Sequence, residues 1–186
     1  MEIVICTDNN YVMPAGVLIC SICENNVTEK IRFHIIVDDT FLEENRQSLF
    51  EEVLRYNQEI YFHHIDKNLY SSFPVGLKGQ ISYLTLAAYY RLFLGKILPT
   101  TIKKVLYLDC DIIVRHNLAE LWNIDIDDYA VGCVTDQYDG LIYPYNRLRY
   151  PQNLGYFNSG VLLVNLDYWR ENHLLEKFID FLGKYP

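Results

Sequence analysis

The chain has 186 residues, 51% of them apolar and 15% aromatic, enough to bury a sizeable core in one domain and too apolar for a disordered segment. Its 16 basic residues are outnumbered by 24 acidic ones, a formal charge of -8. Without a basic stripe, general nucleic-acid binding is excluded, and an anionic ligand needs local help from a cation, an arginine or a helix N-terminus.

The chain opens on "MEIVICTD", with no basic n-region, long apolar core or small-residue cleavage site, so no signal peptide is expected. No run approaches the roughly 20 apolar residues of a membrane span; the expectation is a cytoplasmic protein without an integral membrane segment. "EIVICT" (2 to 7) is the first predicted strand, and "TDNNY" (7 to 11) the turn into a helix containing "AGVLICSICENN". Cys20 and Cys23 form a C-x-x-C there, but no second cysteine or histidine pair completes a zinc site, and a redox motif needs a supporting strand and turn. The five cysteines, Cys6, Cys20, Cys23, Cys110 and Cys133, are odd in number and mostly within apolar runs, as buried thiols of a reducing compartment are.

"IRFHIIV" (31 to 37) is a second strand, and "TFLEENRQSLFEEVLRYN" after it a helix with Leu42, Leu49, Val53 and Tyr56 on one face. Thr40 and Glu43 make a capping box at its start. "EIYFHHI" (59 to 65) is the third strand, followed by a polar connection over 66 to 80 and a helix over "ISYLTLAAYYRLFLGKIL" that ends near Gly95 or Pro99. "KVLYLD" (104 to 109) and "AVGCVT" (130 to 135) complete the predicted strands; 136 to 155 is irregular, and the tail is a pair of amphipathic helical segments. Strand and helix in alternation imply right-handed crossovers and a mainly parallel sheet flanked by helices, an α/β fold. No internal repeat or domain boundary is visible.

Open α/β sheets bind ligands at the carboxyl ends of their strands, and here that rim is acidic: Asp8, then Asp38 and Asp39, then Asp109 and Asp111. No G-x-G-x-x-G or Walker loop is present, which disfavours dinucleotide and P-loop chemistry. In extended backbone Asp109 and Asp111 share a face while Cys110 points away. Two carboxylates so placed suit Mg²⁺ or Mn²⁺, with water and phosphate oxygens filling the other positions; a solvated strand end is the plain alternative. In "TDNNY", Asp8 could accept from a base N–H, Asn10 could bond a ribose or phosphate oxygen and Tyr11 could stack on a base, against ordinary turn chemistry for Asn9 and Asn10.

Three segments in order, "ICTDNNYVMPAGVLICSI", "AAYYRLFLGKILP" running on to "KKVLYLDCDIIVRHNLAELWNIDI", and "GYFNSGVLLVNLDYWRENHL", resemble the successive signatures of the family 8 retaining glycosyltransferases, a group that includes bacterial lipopolysaccharide galactosyl- and glucosyltransferases. The resemblance implies a GT-A fold that binds a UDP-sugar donor, UDP-galactose or UDP-glucose, through Mn²⁺ (or Mg²⁺) on the D-x-D, and transfers the hexose to a saccharide acceptor hydroxyl in lipopolysaccharide or surface-polysaccharide synthesis. By the same resemblance Asp109 and Asp111 are metal ligands, and Thr7, Asp8, Asn10, Tyr11, Asp109 and Cys110 hold the nucleotide. Arg91 contacts the diphosphate and donor sugar; Asp136 and Asn158 hold the sugar hydroxyls. Read without the resemblance, Asn158 and Gly160 are a tight turn.

Two further family elements, an acidic D-Q-D-like segment facing the anomeric carbon and an H-x-x-G-x-x-K-P-W motif with a third metal ligand, fall beyond Pro186. None of His34, His63, His64, His116 and His173 stands in such a context. Residues 1 to 186 are therefore expected to be a single donor-binding domain lacking the acceptor segment, placed in the cytoplasm or, in a full-length enzyme, peripherally at the inner membrane face. Two other functions are consistent with the same aspartates: a catalytically incomplete nucleotide-sugar-binding module, and a haloacid-dehalogenase-like phosphatase, although the latter motif usually opens its domain and carries Thr or Val where Ile113 stands.

Overall fold

A computed structural model describes residues 1 to 71, 73, 86 to 136 and 151 to 184. Parts of the connection at 66 to 80, of the predicted helix at 81 to 98 and of the irregular segment at 136 to 155 lie outside the described residues.

The elements, in chain order, are β1 (Glu2–Cys6), α1 (Val12–Asn25), β2 (Arg32–Asp38), α2 (Glu43–Arg55), β3 (Glu59–Ile65), a 3₁₀ segment (Leu86–Phe93) leading into α3 (Leu94–Ile97), β4 (Lys104–Leu108), α4 (Ala119–Trp122), β5 (Val131–Thr135), β6 (Phe157–Asn165), α5 (Leu166–Glu171) and α6 (Leu174–Lys184). Six strands form one sheet in the order β3-β2-β1-β4-β6-β5. The pairs from β3 to β4 are parallel, and β6 runs antiparallel to both its neighbours. All five predicted strands are present. β6 is an addition: "FNSGVLLVN" reads as a turn and an apolar run, yet it reverses direction and fills the gap between β4 and β5.

Period-two alternation divides the core into two layers. Ile3 and Ile5 of β1, Phe33, Ile35 and Val37 of β2 and Leu106 and Leu108 of β4 pack under α1 and α2. Val4, Cys6, Ile36, Val105 and Tyr107 face the opposite layer, which holds Tyr70, Tyr90, Phe93, Leu94 and Trp169. Both faces of the parallel strands are thus apolar, which is why they read as continuous apolar runs.

Three local readings are corrected. Leu42, not Thr40, occupies the N-cap of α2, because Thr40 donates through both its backbone N and Oγ1 to Asp38 Oδ1 and is drawn back to the end of β2. Leu42 is consequently exposed while Leu49 and Val53 are buried. The described part of the predicted helix around Arg91 is 3₁₀ over Leu86–Phe93 rather than α-helical. With about three residues per turn, residues i and i+3 align; Tyr90 and Phe93 fall together into the core, and Ala88 aligns with Arg91. Of the cysteines, Cys6, Cys23 and Cys110 are buried as expected, Cys20 is intermediate and Cys133 is exposed.

Candidate functional site

The carboxyl ends of β1 and β4 and the 3₁₀ segment enclose a cleft of about 140 Å³ lined by Thr7, Asp8, Tyr11, Arg91, Asp109 and Asp111, with Cys6, Ala87, Ala88, Tyr107 and Cys110 also on its walls. β1 lies between β2 and β4, where the strand order reverses, and an open α/β sheet leaves a crevice at such a switch point. Seven of the residues singled out in the sequence, Thr7, Asp8, Tyr11, Arg91, Asp109, Cys110 and Asp111, therefore come together.

Asp109 is the best-supported side chain in the cleft. It continues the alternation of Val105 and Tyr107 and so faces the layer that carries Arg91. Arg91 Nη2 donates to Asp109 Oδ1 at 2.8 Å, and the Tyr107 hydroxyl donates to the same oxygen. Arg91 is fixed in turn: Nη1 donates to the Ser159 carbonyl at 2.7 Å, Nε to the Ala88 carbonyl at 3.0 Å, and its guanidinium lies 4.6 Å from the centre of the Tyr107 ring. Burial works against the charge of Arg91, but the Tyr107 hydroxyl and the Asp109 carboxylate outweigh it and hold its pKa above the ordinary value. The backbone N of Asp109 donates to the Gly160 carbonyl at 2.8 Å. An ideal Cβ on Gly160 would stand only 3.0 Å from Asp109 Oδ2, so a glycine is what allows this close approach.

Asp111 is exposed at the cleft mouth. Cys110, in the turn that follows β4, is buried and its thiol donates to the Cys6 carbonyl at 3.0 Å; burial pushes its pKa up to about 12, so it is a neutral wall of the cleft. Asp8 Oδ1 accepts from the backbone N of Asn10 (2.9 Å) and Tyr11 (3.2 Å), closing the turn into α1. Asn10 is exposed beside that turn. Asn9 faces away: its side chain bonds Thr40, Leu42 and Asn45 and ties this turn to the next one.

Asp136 and Asn158 form a second group at the ends of β5 and β6, with Asn158 Nδ2 donating to Asp136 Oδ2 at 3.2 Å and Asn158 Oδ1 accepting from Gly160 N at 2.9 Å. The ideal Cβ position on Gly160 is 3.2 Å from Asn158 Oδ1, so this glycine lies between the two groups. Neither Asp38 nor Asp39 joins the cleft: Asp39 lies 3.5 Å from His64, and Asp38 is engaged by Thr40, Tyr70 and Tyr90. Tyr107 and Ser159 are the site residues the sequence reading missed. The alternation in "KVLYLD" signals Tyr107, whereas only the antiparallel return of β6 brings in the Ser159 carbonyl.

The carboxylates of Asp109 and Asp111 on one cleft are oxygen donors of the kind a hard divalent cation takes. Among the described residues no group of three or more His, Cys, Asp or Glu side chains is arranged to hold a metal ion. The described helices include none long and apolar enough to cross a membrane.

General stress protein A of Bacillus subtilis (strain 168) is 30% identical over 100% of this chain and 63% of its own length. Lipopolysaccharide 1,2-glucosyltransferase of Escherichia coli is 33% identical over 95% of this chain and 50% of its own. The crystal structure of the galactosyltransferase LgtC, in complex with donor and acceptor sugar analogues, superposes with a TM-score of 0.89 at 28% identity, covering 100% of this chain and 65% of LgtC. The chain thus spans about half to two thirds of the length of these three proteins, and its fold is GT-A. The family model for "Glycosyl transferase family 8" matches residues 2 to 186, and the chain belongs to that family.

Proposed function

We propose that this chain is the donor-binding part of a retaining hexosyltransferase that moves galactose or glucose from a UDP-sugar to a hydroxyl of a saccharide acceptor. The observation that carries the reading is the convergence of Asp8, Tyr11, Arg91, Asp109 and Asp111 on one cleft at the strand ends. In this reading Tyr11 stacks on the uracil ring, and Thr7, Asp8 and Asn10 present oxygen and nitrogen atoms to the uridine. Cys110 closes the floor of the pocket. Asp109 and Asp111 hold Mn²⁺ or Mg²⁺, with Asp109 also beside the ribose. When bound, the cation supplies positive charge to the diphosphate leaving group.

Arg91 supplies the protein's own share of that charge. Its anchors at Ser159, Ala88 and Asp109 hold the guanidinium ready before substrate arrives, so little reorganisation is needed as negative charge grows on the diphosphate. Asp136 and Asn158 present a carboxylate and an amide, a pair suited to reading sugar hydroxyls. A role in bacterial surface-saccharide synthesis is the extension of this reading that the lipopolysaccharide glucosyltransferase relative supports; a cytoplasmic site of action is part of the same proposal.

Family 8 membership displaces the phosphatase alternative. A nucleotide-sugar-binding module is a second reading of the same cleft, whose lining gathers groups suited to the donor. One experiment separates them: UDP-glucose and UDP-galactose are incubated with the chain and Mn²⁺, with and without a panel of mono- and disaccharide acceptors, and UDP release and the anomeric configuration of the product are read by NMR. Transfer with retention supports the enzyme; metal-dependent donor binding without UDP release supports the module. Failure to bind either donor contradicts both.

A further inference from the structure

Asp38 stands on the acidic rim of the sheet yet does not line the cleft; four hydrogen bonds consume its carboxylate instead. Oδ1 accepts from Thr40 N at 2.9 Å and Thr40 Oγ1 at 2.6 Å, and Oδ2 accepts from the hydroxyls of Tyr70 at 3.1 Å and Tyr90 at 3.0 Å. Tyr70 and Tyr90 are 1% and 2% exposed. Their hydroxyls are 3.2 Å apart and their rings meet edge to face at 5.0 Å. Burial pushes the Asp38 pKa up, but the bonds from Thr40, Tyr90 and Tyr70 outweigh it and leave the carboxyl below its usual value, hence ionised.

Tyr90 immediately precedes Arg91, on the 3₁₀ segment Leu86–Phe93. Hydrogen bonds in such a helix are poorer than in an α-helix, so its position depends on what its side chains grip. Two adjacent residues grip two different strand ends: Tyr90 bonds Asp38 at the end of β2, and Arg91 bonds Asp109 just past β4. β2 and β4 flank β1, and the segment spans the carboxyl end of β1 between them. Adjacent side chains on a 3₁₀ helix diverge by about 120°, so fixing the angle of Tyr90 fixes the angle of Arg91. An apolar contact would bury these rings equally well, but it would lack the direction that a charged acceptor imposes on two hydroxyls.

We propose that Asp38 is a positioning residue of the donor site, acting through Tyr90 to set the angular register of the 3₁₀ segment and thereby the guanidinium of Arg91. This rests on the assignment of Arg91 to the nucleotide diphosphate. It adds a polar clamp, remote from the reacting atoms, that orders the arginine before the donor arrives.

Two measurements test it. The first needs no ligand: the Arg91 Nε–H, bonded to the Ala88 carbonyl, is followed by NMR hydrogen exchange in the wild type, Tyr90→Phe and Asp38→Asn, with the Arg170 Nε–H, bonded to the Gly95 carbonyl, as internal reference. Exchange at Arg91 is expected to accelerate about tenfold in both variants while Arg170 is unchanged. Equal protection of Arg91 in all three proteins overturns the proposal. The second is a double-mutant cycle on UDP affinity with Mn²⁺, measured by calorimetry on the wild type, Tyr90→Phe, Arg91→Ala and the double variant. Tyr90→Phe is expected to weaken UDP about three- to tenfold in the wild type and not at all in Arg91→Ala, while lowering the thermal midpoint equally in both backgrounds. Equal loss of affinity in both backgrounds makes Tyr90 a purely structural residue and refutes the clamp. Absence of UDP binding by the wild type contradicts the assignment of Arg91 to the diphosphate, and the exchange measurement still decides the clamp.

Discussion

Gly160→Ala separates the stability of this fold from the chemistry of its cleft. The added methyl would sit 3.0 Å from Asp109 Oδ2 and 3.2 Å from Asn158 Oδ1, closer than carbon and oxygen normally pack, so both oxygens must retreat by a few tenths of an ångström. Neither is a free chain end. Asp109 is held through Oδ1 by Arg91 and Tyr107, and Asn158 is bonded to Asp136 and to Gly160 N. Gly160 does not use the left-handed region, so alanine fits the strand backbone and stabilises it by about 0.4–1 kcal/mol through the unfolded chain. A local clash costs about 1 kcal/mol or somewhat more, and the two nearly cancel. The urea midpoint should stay close to the wild-type value. Displacing a ligand's supporting contacts, by contrast, costs roughly 10- to 100-fold in metal affinity, so Mn²⁺-dependent UDP binding should fall by that factor. Gly183→Ala, with nothing within 4 Å of its added Cβ, is the control and should leave binding unchanged. Wild-type affinity in Gly160→Ala would refute the account of how Asp109 is placed.

Tyr107→Phe keeps the ring against Arg91 and removes the hydroxyl from Asp109; a bond to a charged acceptor is worth about 1.5 kcal/mol or more, so metal-dependent UDP affinity should drop about tenfold in calorimetry. Arg170 donates to the carbonyls of Gly95, Leu98, Pro99 and Ile102, and Arg170→Ala leaves these acceptors without it; a loss of about 2–4 kcal/mol is expected in urea unfolding. The third expectation concerns pH. Burial, reinforced by His34 and His64, lowers the His63 pKa to about 4, and His34, bonded to it at 2.9 Å, is lowered by burial as well. The unfolded chain therefore binds more protons below its ordinary histidine value near 6.5. Stability from this pair is complete above about pH 6.5 and declines as pH falls toward 4. The urea midpoint should be lower at pH 5.0 than at pH 7.5, and His63→Gln should reduce the difference; a midpoint flat over this range contradicts the assignment.

How far the sequence reaches depends on whether a feature is local. β1 to β5 were legible because each is an apolar run of β-branched and aromatic residues with its own turn signals. Asp109 and Asp111 were legible because charge at the end of an apolar strand is conspicuous; the extended backbone expected through both ends at Leu108, and Cys110 and Asp111 stand in a turn. β6 was hidden: "FNSG" carries turn residues, and its strand state comes from pairing with β4 and β5, many residues away in sequence. The same non-local pairing conceals Ser159 and the close approach at Gly160. The 3₁₀ geometry around Arg91 was illegible for a related reason. "LAAYYRLF" has good helical composition, and the Tyr90 and Arg91 contacts to two strand ends accompany the tighter turn. Asp38 shows the converse error, in which a rim carboxylate that looked like ligand chemistry proved to be consumed by hydroxyls of the protein itself.

The most direct test of the donor-site assignment is calorimetric titration of UDP into the wild-type chain with Mn²⁺, with EDTA, and into Asp109→Ala/Asp111→Ala with Mn²⁺. Binding with Mn²⁺ that disappears in EDTA and in the double variant is the predicted result. UDP binding that persists unchanged with EDTA, or in the double variant, would contradict a cation-assisted nucleotide site at this strand end.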